Sequence, residues 1–85
     1  MFGFFKKYEM STVDLEVIEI LKKEGIELTE VKKFLHSFSD SYDYIVKKGY
    51  ITELRICNSN KIIDENILDT LSRLTKLEVL ELYSN

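Results

Sequence analysis

Leu77-Glu78-Val79-Leu80-Glu81-Leu82-Tyr83-Ser84-Asn85 and, upstream of it, Ile51-Thr52-Glu53-Leu54-Arg55-Ile56-Cys57-Asn58-Ser59 share one spacing of branched apolar residues. In each, apolar side chains alternate with others, at Leu80 and Leu82 and at Leu54 and Ile56. That period of two sets one face of a strand against a core. Between the two stretches lies a polar corner, Asn58-Ser59-Asn60, followed by Asp64, which can cap a helix whose Ile67, Leu68, Leu71 and Leu74 fit one apolar stripe. The order is strand, helix, strand. Strands joined by a helical crossover pair in parallel with a right-handed connection, so these two are expected side by side in one sheet.

The later stretch satisfies L-x-x-L-x-L-x-x-N at all four defined positions, Leu77, Leu80, Leu82 and Asn85. The earlier one repeats it with Ile51, Leu54 and Ile56, and 77 minus 51 gives a period of 26. Such units run to about 20 to 29 residues. On these residues the stretch from about 50 to 85 resembles a leucine-rich repeat. The earlier copy departs from the pattern: Ser59 stands at the asparagine position unless a one-residue shift brings Asn60 into it. An ordinary strand-helix-strand unit of another small α/β domain is the competing reading of the same leucines.

The resemblance implies leucines directed into a shared core, with Leu68, Leu71 and Leu74 on the opposite wall and the asparagine satisfying backbone groups where the chain leaves the strand. It also implies that the residues between the leucines face the recognition surface of the fold. Those are Glu53, Arg55 and Cys57 in one strand and Val79, Glu81 and Tyr83 in the next. The period sets Arg55 beside Glu81 and Cys57 beside Tyr83. The charged pair reads equally as a cross-strand ion pair on a solvated face or as a binding pair. Tyr83 is the first choice for a partner contact, because tyrosine is enriched in interfaces. Repeat arrays need about three units and caps at both ends. With fewer than two complete repeats, the expectation is a fragment of or cap for a longer array, a chain that associates with itself through the C-terminal edge strand, or a module completed by its partner.

Ahead of this unit, residues 1–49 read as a helical cap region. Ser11 or Thr12 can cap a first helix running to about Glu24, with Asp14 three residues after Ser11 as an Asp version of the capping box. Acids come early (Asp14, Glu16, Glu19) and bases late (Lys22, Lys23), with Gly25 as the stop. Thr29 can cap a second helix with Val31, Phe34, Leu35 and Phe38 on one stripe. A third is expected from about Ser41 to Lys48, with Tyr42, Ile45 and Val46 on one side and Gly49 as its break. The expected fold class is therefore α/β: three N-terminal helices capping a short strand-helix-strand unit with parallel strands, residues 50–85, in one domain overall.

Of the 85 residues 45% are hydrophobic and 32% charged, a balance that folds rather than staying disordered. The formal net charge of -3 leaves no surplus of Lys and Arg to displace counterions from a phosphate backbone, so nucleic acid is not an expected partner. Lys32, Lys33, Lys47 and Lys48 form a local exception, and a small acidic helical domain with a nucleic-acid-binding or regulatory role, helices two and three imitating a helix-turn-helix, is the alternative function. The single cysteine, Cys57, has no internal disulfide partner, and with the single histidine, His36, it cannot assemble a metal site. A reducing, cytoplasmic setting follows. Met1-Phe2-Gly3-Phe4-Phe5-Lys6-Lys7 lacks the basic start and longer apolar run of an export signal, and no stretch reaches the roughly 20 apolar residues of a membrane span. The aromatic and basic residues from Phe2 to Tyr8 either pack under the helices or touch a membrane surface. Glycine-rich phosphate loop, H-E-x-x-H, paired C-x-x-C and catalytic triad are all absent, so no catalytic residue, metal or cofactor is expected. The expected function is non-enzymatic protein-protein interaction of the leucine-rich-repeat type.

Overall fold

Ser11 starts the first regular element of the described residues. The computed structural model describes residues 9–34, 41–57 and 63–83, and there Ser11 is the N-cap of α1 (Thr12–Lys23), its hydroxyl accepting from the Asp14 N–H at 3.5 Å. The helix ends in a Schellman motif: Gly25 takes φ 86°, the Ile26 N–H donates to the Leu21 carbonyl at 2.8 Å, and the Gly25 N–H donates to Lys22 at 3.0 Å. Leu21 and Ile26, the residues this motif brings together, are both fully buried.

The remaining elements are β1 (Thr29–Glu30), β2 (Ser41–Lys47), β3 (Tyr50–Cys57), α2 (Glu65–Leu71) and β4 (Val79–Tyr83). The fold is mixed α/β, but of the three expected N-terminal helices the described residues show the first alone. Among the described residues before Gly49, α1 is the one helix. Thr29, expected to cap a second, pairs with Asp43 in a short parallel contact between β1 and β2, extended by the Val31 N–H to the Tyr44 carbonyl at 2.9 Å. The rest of that expected helix, with Leu35, His36 and Phe38, lies outside the described residues, as do the Phe2–Tyr8 segment, the Asn58-Ser59-Asn60 corner and Asn85.

Ser41–Lys47, expected as a third helix, is a strand. Its Tyr42, Tyr44 and Val46 fit strand alternation as well as Tyr42, Ile45 and Val46 fit a helical stripe, and aromatic and β-branched residues favour the strand. The turn decides the matter. Lys47 pairs with Tyr50 across a two-residue turn, Lys48-Gly49, with φ 54° and 84°. Positive φ at both central residues defines the hairpin turn whose twist matches antiparallel strands, so Gly49 ends no helix and instead turns a hairpin.

The sheet order is β1-β2-β3-β4, with β2 antiparallel to β3 and β4 parallel to β3. A bulge interrupts the hairpin: Ile45 pairs with Glu53 but Val46 pairs with Ile51, leaving Thr52 as the extra residue. Ile51 is three positions from Leu54, a spacing that an unbroken strand would put on opposite faces. The bulge absorbs one residue, and Ile51, Leu54 and Ile56 join one buried cluster with Val17 and Leu21 of α1 and Ile67 and Leu71 of α2. Both helices thus cover the same face of the sheet.

Asp64 caps α2, accepting the Ile67 N–H at 2.9 Å. Its buried side is Ile67, Thr70 and Leu71, continued by Leu74 beyond the helix. Leu68, expected on that stripe, is 45% exposed. Thr70 is tolerated in its place because its hydroxyl donates back to the Asn66 carbonyl at 2.9 Å. No helix of the described residues is long and apolar enough to cross a membrane.

Candidate functional site: the outer face and free edge of β4

The β3–β4 pairing has the 26-residue offset: Leu54 pairs with Leu80, Arg55 with Glu81, Ile56 with Leu82 and Cys57 with Tyr83. Alternation sends Leu54 and Ile56 toward the helices, and Glu53, Arg55 and Cys57, with Val79, Glu81 and Tyr83, to the opposite face. Three rows cross that face: Ile45–Glu53–Val79, Asp43–Arg55–Glu81 and Ser41–Cys57–Tyr83.

The middle row is electrostatic. Arg55 Nε lies 3.8 Å from Glu81 Oε2, with the arginine side chain 11% and the glutamate 31% exposed. Phe34 lies over the guanidinium, 4.6 Å from its carbon to the ring centroid. A cation above an aromatic face is stabilised by the ring quadrupole, so Arg55 is held from two directions. At the end of the row Glu81 Oε1 accepts the Tyr83 hydroxyl at 2.8 Å. That hydrogen bond, reinforced by the carboxylate's charge, raises the phenol above its usual pKa.

The six candidate residues are therefore brought onto one face, but they are not equally available. Arg55 lies beneath the chain's own Phe34, and Ile45, on the same face, is buried. Glu53, Cys57 and Glu81 are half-buried, Cys57 as a free thiol. In the three rows of this face the exposed large apolar side chains are both on β4, Val79 at 41% and Tyr83 at 54%. Leu80 faces the helix side, yet it is 41% exposed, while Leu82 packs against the core. The reason is position in the sheet. Among the described residues no strand pairs with the far side of β4. Sequence reasoning placed Leu80 in the core and did not single it out as surface. The signal available was its membership of the last strand, whose outer flank has no neighbour to cover it.

The helix-turn-helix basis of the alternative function is absent, since Ser41–Lys47 is a strand. Comparison with protein-family models, with curated proteins and with solved structures gives no match.

Proposed function

We propose that the chain is a non-enzymatic protein-binding module of leucine-rich-repeat type, which engages its partner through β4. The observation that carries this reading is an edge strand with apolar side chains exposed on both of its faces, Val79 and Tyr83 on one and Leu80 on the other. An unpaired edge offers backbone donors and acceptors to an incoming strand, and exposed flanking side chains give the added strand something apolar to cover. The 26-residue register supports the repeat character of the unit, because it aligns Leu54 with Leu80 and Ile56 with Leu82 as a second unit stacked on a first would. A further unit, a second copy of the chain or another protein's strand would each satisfy the same edge.

A photo-crosslinking side chain placed at position 79 or 83, in cells producing the protein, tests this directly. Discrete covalent protein adducts are expected there, lost when Leu80→Lys is added, and none from the same group at Leu15, which is exposed on α1. Equal adducts at position 15, or none at any position, would refute the reading.

A further inference from the structure

We infer that the chain has a second site, unconnected with β4's edge: a basic cleft at the turn end of the sheet that binds a small organic phosphate. Lys47, Lys48 and Tyr50 of the β2–β3 turn and Thr75, Lys76 and Glu78 of the connection from α2 to β4 line a cleft of about 590 Å³. That volume lies within the roughly 300 to 1,000 Å³ of small-molecule sites. Three lysines and one glutamate are among its lining residues, in a chain whose formal net charge is -3. Among the described residues none of the three lysines has an ion-pair partner. Their charge is concentrated but not consumed by the fold.

The walls are fixed by the backbone. The Glu78 N–H donates to the Thr52 carbonyl at 2.7 Å, tying the second loop to β3, and the Ser11 N–H donates to the Gly49 carbonyl at 2.7 Å, tying the turn to α1. Lys48 itself occupies a left-handed conformation, φ 54°, that asparagine or glycine adopts at lower cost. A lysine there spends conformational stability on a third positive charge at the cleft. Tyr50 supplies the other half of the recognition. Its side chain is exposed, and Lys76 Nζ sits 5.9 Å from the ring centroid, so one cation and one flat apolar surface adjoin. A phosphate monoester carried on a planar body matches this pairing, with its oxygens among the ammonium groups and its ring on Tyr50.

The test is an amide-shift NMR titration of the full chain with adenosine monophosphate, with adenosine and inorganic phosphate run separately. Saturable shifts are expected at Lys48, Tyr50, Thr75 and Lys76 and not on α1. The Lys76→Gln variant should bind the nucleotide roughly tenfold more weakly, the scale of one lost charge-assisted hydrogen bond, and adenosine, which forfeits the contacts of the whole phosphate, should bind the unmutated chain more weakly still. Lys48→Asn separates the site from the fold: asparagine suits the turn, so Tm is expected to rise while affinity for the nucleotide falls. Unchanged affinity in that variant, adenosine binding as tightly as its phosphate, or absence of saturable shifts overturns the proposal. An RNA hexamer binding about a hundredfold tighter than the mononucleotide also overturns it, in favour of a nucleic-acid surface.

Discussion

Replacing Asp14 with alanine is expected to destabilise the protein more than any other change to an acidic side chain on α1. Asp14 occupies the third position of that helix, where a capping box would have it reach back to the N-cap's own N–H. It does something else. The residue is 1% exposed, and Oδ2 accepts the Ile51 N–H at 2.7 Å, 37 residues away, beside the β-bulge. The Ser11 N–H goes to Gly49 instead. In Asp14→Ala the Ile51 N–H loses its acceptor in a buried position, which costs about 1 to 3 kcal/mol. Removing a negative charge from the first helical turn costs a further 0.3 to 1 kcal/mol or so. A total of about 2.5 kcal/mol is a large share of the roughly 4 to 13 kcal/mol expected for 85 residues. Thermal unfolding followed by circular dichroism should show Tm lowered by about 10 to 20 °C. Asp14→Asn retains an acceptor oxygen and should lose about 1 kcal/mol or less. Glu16→Ala, on the exposed side of the same turn, should change stability by no more than about 0.5 kcal/mol. If Asp14→Ala unfolds at the same temperature as Glu16→Ala, the carboxylate does not hold the helix to the hairpin and the reasoning fails.

Leu54 and Leu80 are register partners with opposite expected behaviour: Leu54→Ala, at a fully buried position, should cost about 2 to 5 kcal/mol in urea unfolding. Leu80→Lys should cost about 0.5 kcal/mol or less, while lowering any concentration-dependent mass seen by sedimentation, because it charges a free edge. Gly25→Ala forces a β-carbon into φ 86° and should destabilise by about 1 to 2 kcal/mol, checked by the same urea midpoints. Tyr44 has its pKa raised, first by burial and then by Glu30, its partner across β1–β2. A raised folded-state pKa contributes stability that is complete below the unfolded value and lost as pH climbs through the folded one. Stability should therefore decline above about pH 10, and Tyr44→Phe should make that decline shallower in a Tm-against-pH series.

Local chemistry was sufficient for α1 and for the start of α2. Ser11, the graded charges and Gly25 specify α1 without help from the rest of the chain, and the structure adds the buried Leu21–Ile26 contact of the Schellman motif. Asp64 likewise specifies the start of α2, and the repeated apolar spacing specifies the offset between β3 and β4. Candidate residues followed from that offset. Their common face could be read from alternation, but the cover that Phe34 lays over Arg55 could not, because it comes from a loop distant in the chain. The basic cleft was half visible as Lys47 and Lys48; Lys76 joins them through the crossover that brings the α2–β4 connection beside the hairpin turn.

By itself the sequence determined α1, the Asp64-capped start of α2 and the register of the parallel strands, because each rests on contacts within a few residues or on one repeated spacing. Tertiary structure decided whether Ser41–Lys47 became helix or strand, since its apolar residues fit both periods and only pairing with β3 across Lys48-Gly49 separates them. It also decided the fate of Asp14, which local rules assign to its own helix end. A buried N–H in a distant strand needed an acceptor, and the cost of leaving it without one exceeds what a local cap contributes.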